Sequence, residues 1–170
     1  GKGVVSCSDT PGFLANRVGV FAIQCALHNA FDLKLSPTEA DAFFGRPLGL
    51  PKTGVFGLYD LIGIDLMADV VKSLVGILPK NDAFHKYSSP IEFMTDMIAN
   101  GQTGNKNEKG FYKQAGDKRQ VIDLSNGNYG THERLKTPLL EEAEKIGISV
   151  ILNDKSPYGL YTVSYTHRTL

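Results

Sequence analysis

The sequence lacks an excess of charge, a long apolar run and a cysteine framework. Its 170 residues carry 18 basic and 18 acidic side chains, which argues against nucleic-acid binding through a broad basic surface and against a polybasic membrane anchor. No apolar run approaches the roughly 20 residues that span a bilayer, and residues 1–9 lack the apolar core of a secretory signal. Cys7 and Cys25 have no metal-ligand spacing. We therefore expect a soluble, cytoplasmic protein without a metal site, a membrane span or a nucleic-acid partner.

Complete catalytic motifs are also missing. The sequence contains no GxGxxG after a strand, no GxxxxGK[ST], no GxSxG and no HExxH. The histidines are scattered at His28, His85, His132 and His167, and only His28 has a carboxylate one helical turn away, at Asp32. Such a pair is typical of a solvated helix face. If the chain comes from an enzyme, it holds only part of the catalytic machinery.

Proline placement predicts where helices begin. The apolar (42%) and charged (21%) fractions are those of a globular protein, and the length predicts one domain. Five of the eight prolines directly follow Ser or Thr, namely Pro11, Pro37, Pro90, Pro138 and Pro157. A Ser or Thr oxygen accepts hydrogen bonds from the amides of a first helical turn, and proline suits the next position. Segments 36–39 and 89–92 also have the spacing of a capping box.

These features predict a mainly α-helical chain. We expect helices over about 11–31, 37–44, 90–100 and 138–147, and a helix pair over 54–78 that is broken at Gly63, with Asp65 capping the second helix. Residues 3–8 predict a short strand. Turn residues 115–118 between apolar segments predict a β-hairpin near 110–124. From residue 125 onward, the polar segments outside the last helix are typical of linkers.

The first predicted helix carries an amide on an unexpected face. At about 100° per residue, the predicted core face is an apolar stripe of Leu14, Val18, Phe21, Ala22 and Cys25. Asn16 lies instead on a stripe of small and aliphatic residues: Gly12, Gly19, Ile23, Leu27 and Ala30. Such an amide either bonds a loop carbonyl in a packed interface, or holds a substrate oxygen or orients a catalytic group. The pattern alone leaves these interpretations open.

Three ordered segments resemble the C-terminal domain of 3-hydroxyacyl-CoA dehydrogenases. The segment CSDTPGFLANRV (7–18) resembles the DTPGF-x-x-NR opening of that domain. TGVFGLYDLIGIDLM (53–67) resembles its GPFEL-x-D-x-x-GLD helix pair, and GQTGNKNEKGFYK (101–113) resembles its closing G-x-K-x-G-x-GFY-x-Y. The resemblance spans about residues 3–113, and three motifs in the family's order are far more specific than a single glycine pattern.

The resemblance implies a fold and an activity. The implied fold is a helical domain like the C-terminal domain of 6-phosphogluconate dehydrogenase. The implied reaction is oxidation of 3-hydroxyacyl-CoA to 3-oxoacyl-CoA with NAD, in fatty-acid β-oxidation. In the family, a Rossmann domain holds most of the NAD site and the catalytic His–Glu pair, whereas the helical domain closes the cleft and pairs subunits or repeats. By motif position, Asn16 is the substrate-facing amide beside the catalytic His, and Lys106 is the lysine that reaches NAD.

The resemblance also implies an organisation. Residues 1–9 are expected to end the nucleotide-binding domain, 10–113 to form the helical C-terminal domain, and 114–170 to form a hairpin, a helix and a linker toward a second repeat, as in the larger multi-repeat dehydrogenases. We expect a homodimer or pairing with the second repeat, and no activity from the chain alone. The resemblance is expected to end near Asn153.

Some motif residues also have purely structural interpretations. Gly54-Val-Phe-Gly57 replaces the family's Gly-Pro-Phe-Glu, so no acid follows the phenylalanine. Helix capping accounts for Asp60 and Asp65, and Lys106 also fits a solvated loop lysine. The remaining cations near the closing motif fit a solvated edge better than a contact with CoA phosphates: Lys109, Lys113, Lys118 and Arg119.

Two alternative functions remain at this stage. The first is a non-catalytic helical oligomerisation module, and the retained Asn16 argues against it because such a module does not need this amide. The second is the helical domain of another Rossmann-partnered hydroxy-acid dehydrogenase. The DTPGF and GFY motifs together argue against that alternative.

Overall fold

The structure, a computed structural model, describes residues 3–9 and 12–166, so Pro11 and His167 lie outside the described residues. Its helices are α1 (Leu14–Asp32), α2 (Pro37–Phe43), α3 (Phe56–Ile62), α4 (Ile64–Ile77), α5 (Glu92–Ala99), α6 (Pro138–Ile146), α7 (Ser149–Leu152) and α8 (Pro157–Thr166). Strands β1 (Tyr112–Ala115), β2 (Lys118–Ile122) and β3 (Tyr129–Thr131) form an antiparallel sheet in that order. The predicted mainly α-helical fold with a hairpin near 110–124 is confirmed.

Two predicted helix starts have the expected caps. Ser36 forms a complete capping box with Glu39, because the Ser36 hydroxyl accepts the Glu39 amide at 3.3 Å and the Glu39 carboxylate accepts the Ser36 amide at 2.9 Å. The Thr137 hydroxyl likewise accepts from the third residue of α6 at 3.2 Å. Local hydrogen bonding within four residues is enough to set these starts.

Two other helix starts differ from the prediction. The capping box expected at 89–92 does not form, since α5 begins at Glu92 and residues 88–91 complete the connection from a preceding 3₁₀ turn. Helix α1 begins at Leu14, later than expected, and Phe13 enters it with a φ of 53°. Neither Phe13 nor Ile91, the N-cap residues of α1 and α5, makes a side-chain capping bond.

The break in the helix pair falls at Gly63, as predicted. Gly63 ends α3 and begins α4 with a φ of 112°, a conformation that a β-carbon would strain. The predicted cap at Asp65 is wrong. The N-cap position belongs to Gly63, without a side-chain cap bond, and Asp65 lies in the first turn of α4.

The strand predicted over residues 3–8 does not form in the described part of the chain. Residues 3–9 have no regular secondary structure, and Val4 is 94% exposed. A strand is held by ladder hydrogen bonds to a neighbour, and the described sheet pairs only β1, β2 and β3 with one another. The apolar residues of this segment therefore have no ladder to join.

The C-terminal part is more ordered than its composition predicted. Strand β3 and helices α7 and α8 occupy the region expected to be a linker, although α8 begins at Pro157, where proline placement predicted a helix start. The side chains of Ile151 and Tyr161 are fully buried. Tyr158 of α8 stacks on Phe43 of α2 with ring centroids 4.6 Å apart, and its hydroxyl donates to Glu39 at 2.8 Å. Aromatic burial therefore holds this Ser- and Tyr-rich segment against α1 and α2.

Candidate functional site

Asn16 lies in the first turn of α1 and is exposed. Its surroundings on the helix are apolar and also exposed, with exposed fractions of 77% for Phe13 and 62% for Val18. At Gly19, one turn further along, an added β-carbon would meet no atom within 4 Å. The surface at Gly19 therefore borders open space, whereas Gly12 of the same stripe packs against α4.

The predicted core face of α1 is wrong over its first two turns. Leu14 and Val18 are exposed, whereas Val20, Gln24 and Leu27 are buried. The prediction holds better further along, where Cys25 is fully buried. The reason is tertiary, because the start of α1 extends past the elements that cover its second half, and a helical wheel cannot show where that cover ends.

Lys106 lies in a 3₁₀ turn, Asn105–Asn107, and forms an ion pair with Asp65. The Lys106 ammonium donates to Asp65 Oδ1 at 2.8 Å and to Oδ2 at 2.6 Å. This hydrogen bond holds the pKa of the Asp65 carboxyl below its usual range. An ammonium has three donors, and that of Lys106 binds a single carboxylate in this ion pair. The Lys106 side chain is half exposed.

Asp60 fixes the loop that carries Lys106. Its buried carboxylate accepts the amide of Phe111 at 2.8 Å and the amide of Tyr112 at 2.7 Å. Burial raises the pKa of Asp60 to about 6, although both amides favour its charged form. Asp60 therefore ties α3 to the loop and does not cap a helix, which corrects the capping interpretation.

Two glycines of the closing motif are explained by their close approach to Asp60, one to its carboxylate and one to its main chain. A β-carbon on Gly110 would lie 2.0 Å from Asp60 Oδ1, and one on Gly104 would lie 2.5 Å from the Asp60 carbonyl oxygen. Gly104 also has a φ of 109°. Only residues without a side chain allow the loop to approach α3 this closely.

The structure places Asn16 and Lys106 at opposite ends of α4. Lys106 contacts Asp65 in its first turn, whereas a β-carbon at Gly12, just before α1, would lie 2.9 Å from Leu74. Nine residues of helix separate these two contacts, about 14 Å at 1.5 Å per residue. The segment that enters α1 and the loop of Lys106 therefore contact α4 about three turns apart.

Exposed apolar side chains lie near both candidates. Leu61 and Leu66 are 61% and 51% exposed near the Lys106 end of α4, and Ile77 is 45% exposed near the Asn16 end. Leu66 and Ile77 are three turns apart on the same face of α4. We call these side chains, with Phe13 and Val18, the exposed apolar set.

Asp41 is a polar residue that the sequence analysis missed. Its partly buried carboxylate accepts the amides of Phe56 at 2.7 Å and Gly57 at 2.9 Å, so it caps the start of α3 from α2. The Tyr112 hydroxyl donates to it at 2.9 Å, and burial raises the pKa of Asp41 to about 7. Asp41 therefore provides an acid at the start of α3, where the chain has Gly57. This role of Asp41 is visible only in the contact between α2 and α3.

The cations predicted to form a solvated edge contact aromatic rings. The Arg119 guanidinium lies 3.9 Å from the centroid of the Tyr112 ring, and the Lys113 ammonium lies 4.2 Å from that of Tyr129. Lys109 lies over the Tyr129 ring as well, at 5.7 Å. These contacts hold exposed side chains against the sheet by cation–π attraction.

No group of three or more His, Cys, Asp or Glu side chains could hold a metal ion among residues 3–9 and 12–166. His28 is partly buried, and burial lowers its pKa despite the nearby charge of Asp32. His132 contacts Thr38, far from Asn16 in the sequence. Within the described part of the chain, no helix is long and apolar enough to cross a membrane.

Comparison with known proteins gives a consistent match. The sequence model of the 3-hydroxyacyl-CoA dehydrogenase C-terminal domain matches residues 12–114. A protein of Rickettsia prowazekii (strain Madrid E), named as a fatty acid oxidation complex trifunctional enzyme, is 43% identical over 95% of this chain and 22% of its own length. The mitochondrial hydroxyacyl-coenzyme A dehydrogenase of Mus musculus is 34% identical over 66% of this chain and 34% of its own length. The chain thus spans about a fifth to a third of these relatives.

The Rickettsia match also reaches beyond the predicted limit near Asn153. It covers 95% of the chain, whereas a match ending at Asn153 would leave out a tenth. The expectation that the resemblance ends there is therefore wrong. The burial of Tyr161 in the body of the fold agrees with this longer match.

Proposed function

Because this chain belongs to the 3-hydroxyacyl-CoA dehydrogenase family, as its C-terminal domain, we propose that it is the substrate-side and dimerisation domain of an NAD-dependent 3-hydroxyacyl-CoA dehydrogenase. The reaction is oxidation of 3-hydroxyacyl-CoA to 3-oxoacyl-CoA in fatty-acid β-oxidation. The single observation that carries the proposal is the exposed Asn16 at the start of α1, in the motif that the family match includes.

Asn16 is proposed to position the substrate. An amide can donate a hydrogen bond to a substrate oxygen and hold it at a fixed distance from a base. Its place on a helix supports this role, because a rigid element holds a side chain more accurately than a loop does. The base itself is proposed to lie in the nucleotide-binding domain, outside this chain.

Lys106 is proposed to contact NAD. Its side chain is half exposed, and the ion pair with Asp65 directs the ammonium along the first turn of α4. Bound NAD would supply a hydride acceptor for the reaction, Lys106 would be among the residues that hold it, and most of its site is proposed to lie in a nucleotide-binding domain outside the chain. For this chain, the proposal assigns to Lys106 only a donor and a positive charge.

The exposed apolar set is proposed to contact the nucleotide-binding domain and the substrate. It includes Phe13 and Val18 at the start of α1, the helix of Asn16, and Leu66 in α4, next to the Asp65 that pairs with Lys106. The length of the relatives supports a domain of this kind, because the chain spans only about a fifth of the Rickettsia protein. Residues 1–9 are proposed to lead out of that domain, 10–113 to form the helical domain, and 114–170 to lead to a second repeat or a dimer partner.

An activity assay tests the proposal. We expect the isolated 170-residue chain to form no NADH from 3-hydroxybutyryl-CoA, and we expect NADH formation once its nucleotide-binding domain is joined to it. The reading frame upstream of Gly1 is expected to encode a GxGxxG motif and a histidine. NADH formation by the isolated chain, or a reading frame without these features, would contradict the proposal.

A further inference from the structure

A cavity of about 520 Å³ opens on the molecule away from α4. It lies between α2, the 3₁₀ turn Arg46–Leu48, strand β2 and the start of α6. Its size suits a small molecule more than a single ion. Neither Asn16 nor Lys106 lines it, so it is distinct from the site proposed above.

Positive charge is concentrated in this cavity. Its cationic lining residues are Arg46, Lys52, Arg119, Arg134 and Lys136. The carboxylates that line it are Asp41, Glu141 and Glu144, so five positive groups face three negative ones in a chain whose net charge is zero. Burial raises the pKa of Asp41 to about 7, which weakens its negative charge near neutral pH. The cavity is therefore an electropositive site on a neutral protein.

One wall of the cavity is held in place by contacts between its own residues. The Arg119 guanidinium packs 3.9 Å from the centroid of the Tyr112 ring, whose hydroxyl donates to Asp41. The His132 ring meets the same tyrosine edge-on at 5.3 Å, and its Nδ1 lies 3.0 Å from the Thr38 hydroxyl oxygen. A guanidinium fixed on an aromatic ring loses little further freedom when it binds a ligand.

We propose that this cavity binds a small molecule that carries a diphosphate group. Guanidinium groups match phosphate oxygens with paired hydrogen bonds, and three of the five cations are arginines. Arg134 remains available because its pair with Glu144 is long, at 3.6 Å, and both side chains are exposed. Free pyrophosphate and a nucleoside diphosphate present the same group to these cations.

The first experiment measures binding by isothermal titration calorimetry on the 170-residue chain, with pyrophosphate and ADP as probes. Saturable binding of both is expected, with no binding of adenosine. Binding of ADP alone would assign the site to a nucleotide. Adenosine binding as tight as that of ADP, citrate binding as tight as that of pyrophosphate, or no saturable binding at millimolar probe would each overturn the proposal.

Charge-matched variants on one strand locate the site. We expect Arg119→Gln to weaken pyrophosphate binding about tenfold or more, because a charge-assisted pair is lost. The control Lys118→Gln removes the same charge from the adjacent residue, which does not line the cavity, and should change affinity less than about twofold. Equal loss in both variants would contradict a site in the cavity.

A third variant keeps the test valid if Arg119→Gln disturbs the fold. Arg134 has a side chain that is 76% exposed, so Arg134→Gln should leave the circular dichroism spectrum unchanged and still weaken pyrophosphate binding. Unchanged affinity in Arg134→Gln would overturn the assignment. None of these measurements depends on dehydrogenase activity, so their failure would leave the function proposed above intact.

Discussion

The buried carboxylate of Asp60 accepts the main-chain amide of Tyr112 at 2.7 Å, across 52 positions of sequence. The same carboxylate accepts the amide of Phe111, so one side chain satisfies two buried donors at the start of β1. This contact joins the second and third sequence motifs. It also positions the loop that carries Lys106.

The Asp60 contact predicts a large stability loss in Asp60→Ala. Removing the carboxylate leaves two buried amides without a partner, which costs about 2–5 kcal/mol in the free energy of unfolding. This loss in the free energy of unfolding is measured by urea unfolding monitored with circular dichroism. The control Asp117→Ala alters an exposed carboxylate in the hairpin turn and should cost less than about 0.5 kcal/mol. Similar costs for both variants would show that Asp60 does not hold the loop.

Stability is also expected to depend on pH through two carboxyls. Burial raises the pKa of Asp60 to about 6 and that of Asp41 to about 7, above the ordinary value of 3.8. A group with a raised folded-state pKa contributes stability that is complete below its unfolded pKa and is lost as pH rises through its folded pKa. Their contribution to the free energy of unfolding should therefore decrease from about pH 4 to pH 7.

The variant Asp60→Asn isolates one part of this pH dependence. It cannot titrate, so its unfolding free energy should change less between about pH 4 and pH 6 than that of the unsubstituted chain. Urea titrations at half-unit pH steps give both profiles. Parallel profiles would mean that Asp60 does not titrate in this range.

Asn16 is predicted to affect turnover and not folding. In the polypeptide that joins this chain to its nucleotide-binding domain, Asn16→Ala should lower kcat/KM for 3-hydroxybutyryl-CoA on the order of 100-fold, because substrate positioning is lost. The melting temperature should stay unchanged, since Asn16 is exposed. The matched control is Asn100→Ala, which alters an exposed amide at the end of α5. Full activity in Asn16→Ala would remove the proposed role.

Lys106 is predicted to act on the cofactor. In the same polypeptide, Lys106→Gln should raise the KM for NAD about tenfold by loss of a charged donor, with little effect on stability because its ion pair is exposed. Lys109→Gln, three residues along the same loop, serves as the control and should leave that KM unchanged. If both variants raise the KM for NAD equally, the effect comes from the overall charge of the loop and does not depend on the position of Lys106.

Short-range features of the sequence predicted much of the fold. Four features depend on residues only a few positions apart: the capping box at Ser36, the cap at Thr137, the break at Gly63 and the turn of the hairpin. Because their hydrogen bonds and backbone preferences are local, they can be predicted from the sequence. The motifs that indicated the family are similarly contiguous.

Long-range contacts decided what the sequence left open. Asp60 and Asp65 resembled helix caps until their partners, the amides at the start of β1 and the ammonium of Lys106, were known. Likewise, the burial of Tyr161 shows that the polar C-terminal segment belongs to the folded body.

By itself, the sequence determined the helical class, the caps at Ser36 and Thr137, the break at Gly63, the hairpin and the family. The tertiary structure decided which face of α1 is covered, how Asp41 supplies an acid to α3, and how five cations come to line one cavity. The physical reason is that capping and turn formation depend on neighbours in sequence, whereas burial and charge clustering depend on neighbours in space.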